Sequence, residues 1–386
     1  MNVLVITNLF PNAKQPQRGV FNFQQLVALK KKCSLCIIAP VPWVPAFFHR
    51  KKDKVYREIP EKESIAGMET YHPRYVVTPK IGRALYGRLY YRGIKGVVDR
   101  LIREQKPDII FATWAYPDGY AASLIAKVKN IPLVIKVHGT DINVLGSTPL
   151  LRQKMIKAFQ RAKGIVAVSR SLKETISSWG INDRKVKLIE NGVNKSLFYP
   201  RNKNESRQQL GLNANLKHIV YIGNLVEVKG IFYLIEAMRH MKEEYHLHLI
   251  GEGELMEPLK KKVKDYNLSS QVTFYGRKAH EEIPLWLSAA DVFCLPSVYE
   301  GCPNVVLEAL ACGTSVVASH VGGISEFVDT EEKGTLVEPK NPKALAEALQ
   351  SHIKMDNIYR EGSLAKTVMS WEDNARKIRE VLDECR

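Results

Sequence analysis

The sequence predicts an α/β protein of two domains, each built on a parallel sheet. Short apolar runs of the kind that form buried strands alternate with longer helical patterns along the whole chain. The 386 residues are enough for about two domains of ordinary size. A polar run, Arg201–Arg207, interrupts the alternation near the middle of the chain, and domain linkers commonly have this composition.

The strand signals form one series in each half of the chain. In the first half they are Val3–Thr7, Ser34–Pro40, Ile109–Ala112 and Leu133–Val137. In the second half they are His218–Gly223, His246–Ile250, Val272–Tyr275, Val292–Leu295 and Ser315–Ala318. Helical patterns such as Phe21–Lys32 fill the intervals, which predicts parallel strands with ligands beyond their carboxyl ends. Asn8–Gly19, His138 and Ser169 follow predicted strands and therefore lie at such ends.

The polar break and the last helical pattern set the expected domain limits. We expect an N-terminal domain over residues 1–198, a second domain over residues 199–365 and a C-terminal segment over residues 366–386. The tail from Trp371 to Glu384 has the amphipathic period of a helix.

Two carboxylates, Glu300 and Glu308, bracket a loop and a predicted helix start. The apolar run that ends at Pro296 predicts a buried strand, and Pro303 suits the first turn of the helix that follows. The alternative is that Glu308 is an ordinary helix residue and Glu300 a solvated loop acid.

The same segment combines groups that suit a phosphate with groups that suit a sugar. Amides near Asn304 and Val305, at the predicted helix start, lack partners within the helix and favour phosphate. The flanking carboxylates would accept hydrogen bonds from the hydroxyls of a neutral sugar. Lys229-Gly230 begins a helical pattern through Met241, so Lys229 would add an ammonium group at a second helix start, unless it is an ordinary surface lysine. Together these features indicate a sugar nucleotide.

The segment from Ala290 to Ser319 resembles the donor site of retaining glycosyltransferase family 4. It contains Ala-Asp-Val-Phe-Cys-Leu-Pro-Ser, then two glutamates separated by seven residues, then Ala-Leu-Ala-Cys-Gly-Thr. Further signatures that resemble the family occur in the expected order: His138-Gly139-Thr140-Asp141, Val168-Ser169, Asn191-Gly192-Val193 with Phe198 and Pro200, Gly223-x-Leu225 with Lys229-Gly230, and Gly322-Gly323 with Glu326. Met1–Gln25 and Trp114–Gly119 are most similar to bacterial enzymes that build capsule, teichuronic-type or lipopolysaccharide chains.

The resemblance implies a GT-B fold, in which two Rossmann-like domains with parallel sheets face each other across a cleft. It also implies that the C-terminal helix packs back on the N-terminal domain. In such a fold the N-terminal domain binds the acceptor and the second domain binds the nucleotide sugar.

The resemblance further implies roles for individual residues. Glu300 corresponds to the acid that contacts the hydroxyls of the transferred sugar, Glu308 to the acid that holds the ribose, and Lys229 to the clamp on the diphosphate. His138 corresponds to the histidine between donor sugar and acceptor. Gly19 lies in the first strand-to-helix loop, where the backbone passes close to the diphosphate and a Cβ would be in the way. Donor contacts are also implied at Pro303, Asn304 and Val305.

One expected donor-binding residue departs from the family pattern. Asn224 stands where an arginine commonly assists the phosphate-binding lysine, so a rigid fork of donors is missing. We hypothesise that Arg18, beside the loop glycine, or Arg277, after Gly276, supplies this charge.

Positive charge is concentrated in the first half of the chain. Residues 1–200 contain 34 Lys and Arg against 13 Asp and Glu, a balance of +21, whereas residues 201–386 contain 23 against 27, a balance of −4. The basic residues cluster in Lys30–Lys32, Arg50–Lys54 and Lys80–Arg103, the last interspersed with Tyr86, Leu89, Tyr90 and Tyr91. This mixture favours docking on an anionic membrane, at about 1 kcal/mol per basic residue. The alternatives are a solvated basic face, or nucleic acid, for which no binding signature is present.

Cysteine and histidine patterns favour neither disulfides nor a metal. The six cysteines lie mostly in apolar patterns, and Cys33-x-x-Cys36 falls in a predicted strand, so reduced core thiols are expected. A zinc site at His240, His246 and His248 would need further ligands, and an exposed strand face is the preferred interpretation. No Asp-x-Asp sequence is present to hold a metal-bound diphosphate, so we predict chemistry without metal or other cofactor.

These observations predict a bacterial, retaining glycosyltransferase that uses a UDP-sugar and extends a membrane-associated glycan or lipid-linked acceptor. UDP is expected from the resemblance alone. No apolar run reaches the roughly 20 residues of a membrane span, and no basic leader precedes the first strand, so a cytoplasmic, membrane-peripheral enzyme is expected. The alternatives are a sugar-nucleotide epimerase, a transferase with a soluble acceptor, and a non-catalytic nucleotide- or glycan-binding module.

Overall fold

The computed structural model describes residues 1–43, 54–77, 85–355 and 363–386, which form two compact units. The first unit comprises Met1–Asn191 and Trp371–Arg386, and the second comprises Gly192–Ser370. The divisions therefore differ from those expected after residues 198 and 365. The reason is that Val193 forms a parallel bridge with Ser370, which holds both connecting segments on the second unit.

The described part of the first unit alternates strands and helices. Its strands are β1 Asn2–Ile6, β2 Ser34–Ile38, β3 Val41–Trp43, β4 Lys62–Ile65, β5 Met68–Tyr71, β6 Arg74–Val76, β7 Ile109–Ala112, β8 Leu133–Val137, β9 Gly164–Ala167 and β10 Val186–Leu188. Its helices up to the first crossing are α1 Val20–Lys30, α2 Lys54–Arg57, α3 Tyr86–Gln105, α4 Tyr120–Lys129, α5 Pro149–Arg161 and α6 Arg170–Ser178.

Eight of these strands form one sheet in the order β10-β9-β8-β7-β1-β2-β5-β4, and only the edge pair β4/β5 is antiparallel. The strands β3 and β6 pair separately and are parallel. The central strands β7 and β8 are buried along their whole length, as expected for apolar runs covered by helices on both faces. The chain order switches between β1 and β7, so the loops that follow these two strands border the position where parallel sheets bind ligands.

The second unit repeats this architecture with an entirely parallel sheet. Its strands are β11 Lys217–Ile222, β12 Tyr245–Ile250, β13 Val272–Gly276, β14 Val292–Leu295, β15 Val316–Ser319 and β16 Gly334–Val337. Its helices are α7 Lys203–Leu210, α8 Ile231–Met238, α9 Met256–Asp265, α10 Ile283–Ala289, α11 Asn304–Ala311, α12 Pro342–Met355 and α13 Ser363–Thr367. The strand order β13-β12-β11-β14-β15-β16 switches between β11 and β14.

The polar run predicted to be a linker is helix α7, so that prediction was wrong. The Asn202 side chain caps the helix by accepting a hydrogen bond from the Glu205 amide at 3.1 Å. Arg207 is buried, and its guanidinium donates to the Asp291 carboxylate at 2.7 Å and to the Ala289 carbonyl at 3.0 Å. Paired charges therefore allow a polar sequence to pack on the second unit as a helix.

The last helix, α14 (Trp371–Cys385), belongs to the first unit and packs against α1. Asn374 is buried there, accepting from the Gln25 side chain and donating to the Glu190 carbonyl. The buried Lys136 ammonium donates to Gln25 Oε1 at 3.0 Å and to Asn191 Oδ1 at 2.8 Å. These bonds fix both points at which the chain leaves and re-enters the first unit.

Candidate functional site

The loops after β11 and β14 meet at the switch point of the second sheet. The loop after β11 ends in a one-turn 3-10 helix, Glu227–Lys229, and Gly230 follows it with a φ of +64°. A Cβ at Gly230 would collide with the Pro296 carbonyl oxygen, so only glycine fits this close approach. The Val298 amide donates to the Val228 carbonyl at 2.9 Å. Backbone packing thus holds the two loops together.

This packing brings Lys229 onto Glu300. The Lys229 ammonium donates to Glu300 Oε1, and the Ser297 hydroxyl donates to the same oxygen at 2.9 Å. Glu300 is only 8% exposed, whereas the Lys229 side chain is 24% exposed. The predicted helix from Lys229 to Met241 was wrong at both ends, since α8 spans Ile231–Met238 and the left-handed Gly230 separates Lys229 from it.

The loop after β15 packs against the same carboxylate segment. Gly322 has a φ of +56°, and a Cβ there would collide with the Glu300 carbonyl oxygen. The Gly323 amide donates to the Gly301 carbonyl at 3.1 Å. The Gly322-Gly323 signature therefore shapes the backbone that presents Glu300.

Helix α11 begins beside this cluster. Pro303 is its N-cap and Asn304 its first residue, and within the first turn the Val306 amide donates to the Pro303 carbonyl at 3.0 Å. Glu308 lies four residues after Asn304, hence on the same face and about 6 Å further along the axis. Glu308 Oε1 lies 3.1 Å from His280 Nε2. Burial lowers the pKa of His280, but the hydrogen bond and charge of Glu308 outweigh it, so the net pKa is raised.

Asn224 and Arg277, which were also predicted to bind the donor, form no hydrogen bond or ion pair with Lys229 or Glu300 in the described part of the structure. Asn224 is exposed, and its main-chain carbonyl accepts a hydrogen bond from the Tyr221 hydroxyl at 2.9 Å. Arg277 is exposed and forms no hydrogen bond or ion pair with the described residues. Its role in phosphate binding stays a prediction.

The first unit gathers the other predicted site residues at its own switch point. The His138 ring lies 4.8 Å from the Phe21 ring and stacks on Trp114 at 5.6 Å between centroids. Gly19, with a φ of +62°, precedes α1, and a Cβ there would collide with the Leu9 carbonyl. Arg18 Nε donates to the Asn8 carbonyl at 2.9 Å. Arg18 therefore supports the loop after β1, and its phosphate role stays a prediction.

The His138 ring is packed between aromatic side chains. Burial lowers the pKa of His138 well below the usual range, and the nearby Lys136 charge lowers it further, while a hydrogen bond from the ring to the Thr113 main chain opposes the shift. Its Nε2 is buried and has no hydrogen-bond partner among the described residues. The imidazole is therefore neutral at pH 7 and retains a free ring nitrogen.

Asp141 holds the main chain of the His138-Gly139-Thr140-Asp141 segment in place. Its Oδ1 accepts from the amides of His138, Gly139 and Ile142 at 2.9–3.1 Å, and its Oδ2 accepts from the Ala115 amide at 2.9 Å. Burial raises the pKa of Asp141 even though these four amides oppose the shift. The side chain is a backbone clamp that orients the turn carrying His138.

Two residues that contact the predicted site were not among the predicted site residues. Ser297 directly supports Glu300, and its signals were its position after the strand β14 and its place at the end of the Ala-Asp-Val-Phe-Cys-Leu-Pro-Ser run. His280 supports Glu308 from a loop 28 residues earlier, and no local pattern marks it. Both contacts join segments that are brought together only by the tertiary fold.

The predicted exposed strand face around His248 was wrong. β12 lies inside the sheet, and His248 is buried against Tyr275 and Trp286. His248 Nε2 lies 2.9 Å from His218 Nδ1, and His246 Nε2 lies 2.9 Å from the Thr273 hydroxyl. In the part of the chain that the structure describes, no three His, Cys, Asp or Glu side chains are grouped as ligands for a metal ion. All six cysteines are free, as expected.

The basic surface is only partly described. Arg50–Asp53 and residues 80–84 lie outside the described residues. On α3, Arg88, Arg92 and Arg103 are exposed, and their spacings of four and eleven residues place them on one side of the helix. Tyr90, which was expected on this surface, is buried against Tyr75 with ring centroids 4.9 Å apart, so that assignment was wrong. Within the described ranges, no helix has the length and apolar character of a membrane span.

Solved structures resemble the chain over its whole length. Sucrose-phosphate synthase from Thermosynechococcus elongatus superposes with a TM-score of 0.83 at 21% identity, covering 100% of this chain and 99% of that one. HepE from Anabaena, solved in complex with UDP-glucose, gives a TM-score of 0.75 at 21% identity, covering 100% of both chains. These likenesses confirm the predicted GT-B fold of two Rossmann-like domains.

The sequence relationships identify the family. Residues 46–197 match the family described as Glycosyltransferase Family 4, and residues 202–378 match Glycosyl transferases group 1. A Bacillus subtilis protein named for teichuronic acid biosynthesis, the glycosyltransferase TuaC, is 34% identical over 360 residues, covering 90% of this chain and 88% of that protein. The chain therefore belongs to glycosyltransferase family 4 and is an enzyme of the transferase class.

Proposed function

We propose that this enzyme moves a sugar from a UDP-sugar to a growing bacterial surface glycan, with retention of configuration at the sugar C1. The observation that carries the donor part is the direct Lys229–Glu300 contact at the switch point. In a nucleotide sugar, C1 is bonded directly to the β-phosphate, so groups that bind sugar and phosphate must be neighbours. The contact between Lys229 and Glu300 supports these two roles.

The start of α11 extends this arrangement along the nucleotide. The amide of Val305 and the helix dipole favour the diphosphate, and Glu308, one turn further along, is placed for the ribose hydroxyls. Lys229 supplies the positive charge that a metal ion supplies in other nucleotide-sugar enzymes. We therefore propose that transfer needs no metal.

Bond breaking places negative charge on the leaving diphosphate and positive charge on C1. In this proposal Lys229 and the Val305 amide stabilise the negative charge on the leaving diphosphate, while the Glu300 carboxylate orients the sugar hydroxyls. The bond from C1 to the β-phosphate oxygen breaks, and the bond from C1 to the acceptor oxygen forms on the same face. The acceptor proton passes to a phosphate oxygen, so no protein base is required.

We propose that the first unit binds the acceptor beside its half-exposed aromatic side chains, Phe21 and Trp114, with the neutral His138 between them. Its basic surface would hold the enzyme on the anionic inner face of the cytoplasmic membrane, where lipid-linked acceptors are available. Similarity to TuaC supports a surface polysaccharide as the product class.

A donor panel tests this function. The purified enzyme is incubated with UDP-, GDP- and ADP-sugars, with and without bacterial membrane extract and chelator, and nucleotide diphosphate and glycan products are measured by mass. We expect release from a UDP-sugar that requires the extract, resists chelation and yields an α-linked product from an α-linked donor. Inverted product, loss of release with chelator, or release from GDP- or ADP-sugars alone would contradict the corresponding part of the proposal.

A further inference from the structure

Glu308 is held by a histidine outside the motif to which it belongs. His280 Nε2 lies 3.1 Å from Glu308 Oε1, and the two side chains are 19% and 15% exposed. The other carboxylate oxygen, Oε2, accepts no hydrogen bond from the described residues. One oxygen of Glu308 is therefore fixed, and the other remains available to a ligand.

His280 is itself held on its opposite side. It begins the one-turn 3-10 helix His280–Glu282, and the Glu282 carboxylate accepts from the Ala279 amide at 3.2 Å. The His280 ring packs on Phe198, with centroids 5.0 Å apart. Phe198 is buried, and its amide donates to the Asn194 carbonyl at 2.8 Å. Hence the imidazole lies between the buried Phe198 ring and the Glu308 carboxylate.

We infer that His280 is a positioning residue for nucleotide binding, which fixes Glu308 so that Oε2 accepts hydrogen bonds from the ribose hydroxyls. This inference rests on the proposed donor site, because it assigns Glu308 to the ribose. A glutamate side chain that keeps some solvent access samples several rotamers, and a hydrogen-bond donor on one carboxylate oxygen removes that freedom before the ligand arrives. His280 contributes without touching the ligand.

The test compares nucleotides with and without ribose hydroxyls. Kd values for UDP and for 2′,3′-dideoxy-UDP are measured by calorimetry on the full chain, for the unaltered enzyme and for His280→Ala. We expect UDP to bind about tenfold more weakly to His280→Ala, which corresponds to about 1.4 kcal/mol. The Kd for the dideoxy nucleotide should stay within about twofold, because it has no hydroxyls for Glu308 to accept from.

Two further variants separate positioning from folding. His280→Gln keeps a side-chain N–H donor and should recover most of the UDP affinity. His246→Ala removes another half-buried histidine of the same unit, whose ring nitrogen lies 2.9 Å from the Thr273 hydroxyl, and should leave both Kd values unchanged. Thermal unfolding with each variant shows whether the second unit remains folded.

The outcomes distinguish this inference from the proposed function. Equal weakening of both nucleotides in His280→Ala, or no recovery in His280→Gln, would overturn the positioning role while UDP binding by the unaltered enzyme still supports the donor site. Absence of UDP binding in the unaltered enzyme would overturn both.

Discussion

The two units use ionisable side chains in different ways. In the second unit, Lys229 with Glu300 and His280 with Glu308 are pairs that keep some solvent access at the switch point. In the first unit, Asp118 and Asp141 are fully buried, and the Asp141 carboxylate accepts hydrogen bonds from main-chain amides. Paired and accessible charges can exchange their partners for a ligand, whereas buried acceptors fix the shape of a loop. Substitutions should therefore affect activity in one unit and stability in the other.

The largest effect is expected at the Lys229–Glu300 pair. Glu300→Gln and Lys229→Ala should each lower the rate of transfer by about a hundredfold to a thousandfold, because in the proposed site each removes a charge that acts on the reacting groups. Glu300→Gln keeps a hydrogen-bonding side chain of the same shape and should change the melting temperature little. Lys229→Ala leaves the buried Glu300 carboxylate without its ion-pair partner, so thermal unfolding is measured beside turnover to separate a loss of catalysis from a loss of stability. Turnover is measured as nucleotide diphosphate released per enzyme.

A matched ion pair in the same unit provides the control. Lys333 donates to Asp329 at 2.6 Å on the surface, and Lys333→Ala or Asp329→Asn should leave transfer unchanged. Near-normal turnover of Glu300→Gln or Lys229→Ala would show that the substituted residue is not part of the catalytic site.

A second prediction concerns stability in the first unit. Asp141→Ala leaves four buried amides without an acceptor and should lower the free energy of unfolding by about 3 kcal/mol. Asp141→Asn keeps one oxygen and should cost less than half as much. Urea unfolding measures both. A stable Asp141→Ala enzyme that had lost only catalysis would contradict the assignment of Asp141 to the backbone.

The third prediction is that a fall in pH destabilises the second unit, whereas a rise in pH destabilises the first. Burial, with the neighbouring His246 and His218 adding to it, lowers the pKa of His248 to about 3, so the unfolded state binds the proton between about pH 3 and 6.5. Stability of the second unit should fall by about 2 kcal/mol between pH 6.5 and 5 from this one group. Burial raises the pKa of Asp118 to about 7, so the folded state holds this proton more tightly than the unfolded state. The contribution of Asp118 to the stability of the first unit therefore falls as the pH rises from about 4 to 7.

Hydrogen exchange read by mass spectrometry, corrected for intrinsic rates, reports on each unit separately. His248→Gln should reduce the loss of stability of the second unit at low pH. Asp118→Asn should reduce the loss of stability of the first unit as the pH rises. If the stabilities of the two units of the unaltered enzyme changed equally with pH, this prediction would be refuted.

The smallest effect per residue is expected at the membrane surface. Substitution of Arg88, Arg92 and Arg103 on α3 by Glu should weaken binding to anionic vesicles, and each lost attraction is worth about 1 kcal/mol of binding free energy. The effect should become smaller as salt is added. Reversal of Lys261 and Lys264, exposed on α9 of the second unit, is the control and should have little effect. Equal responses of the two surfaces would refute a membrane role specific to the first unit.

Local patterns predicted the strands closely, because apolar runs such as Ile109–Ala112 and Val292–Leu295 depend on burial alone. They could not show that Lys229 touches Glu300, since that contact spans 71 residues and depends on Gly230 approaching Pro296. The helix α7 was missed because its stability comes from the distant Asp291. Family resemblance supplied the site residues, while their partners Ser297 and His280 required the fold.

The place of α14 affects the order in which the enzyme can be made. This helix completes the core of the first unit against α1, yet it follows the entire second unit in the chain. At about 5–20 residues per second, the ribosome needs roughly ten seconds or more to pass from Asn191 to Trp371. During that interval the apolar side of α1 has no cover from its own chain, so the nascent first unit is a natural client for chaperones until the second unit has been synthesised.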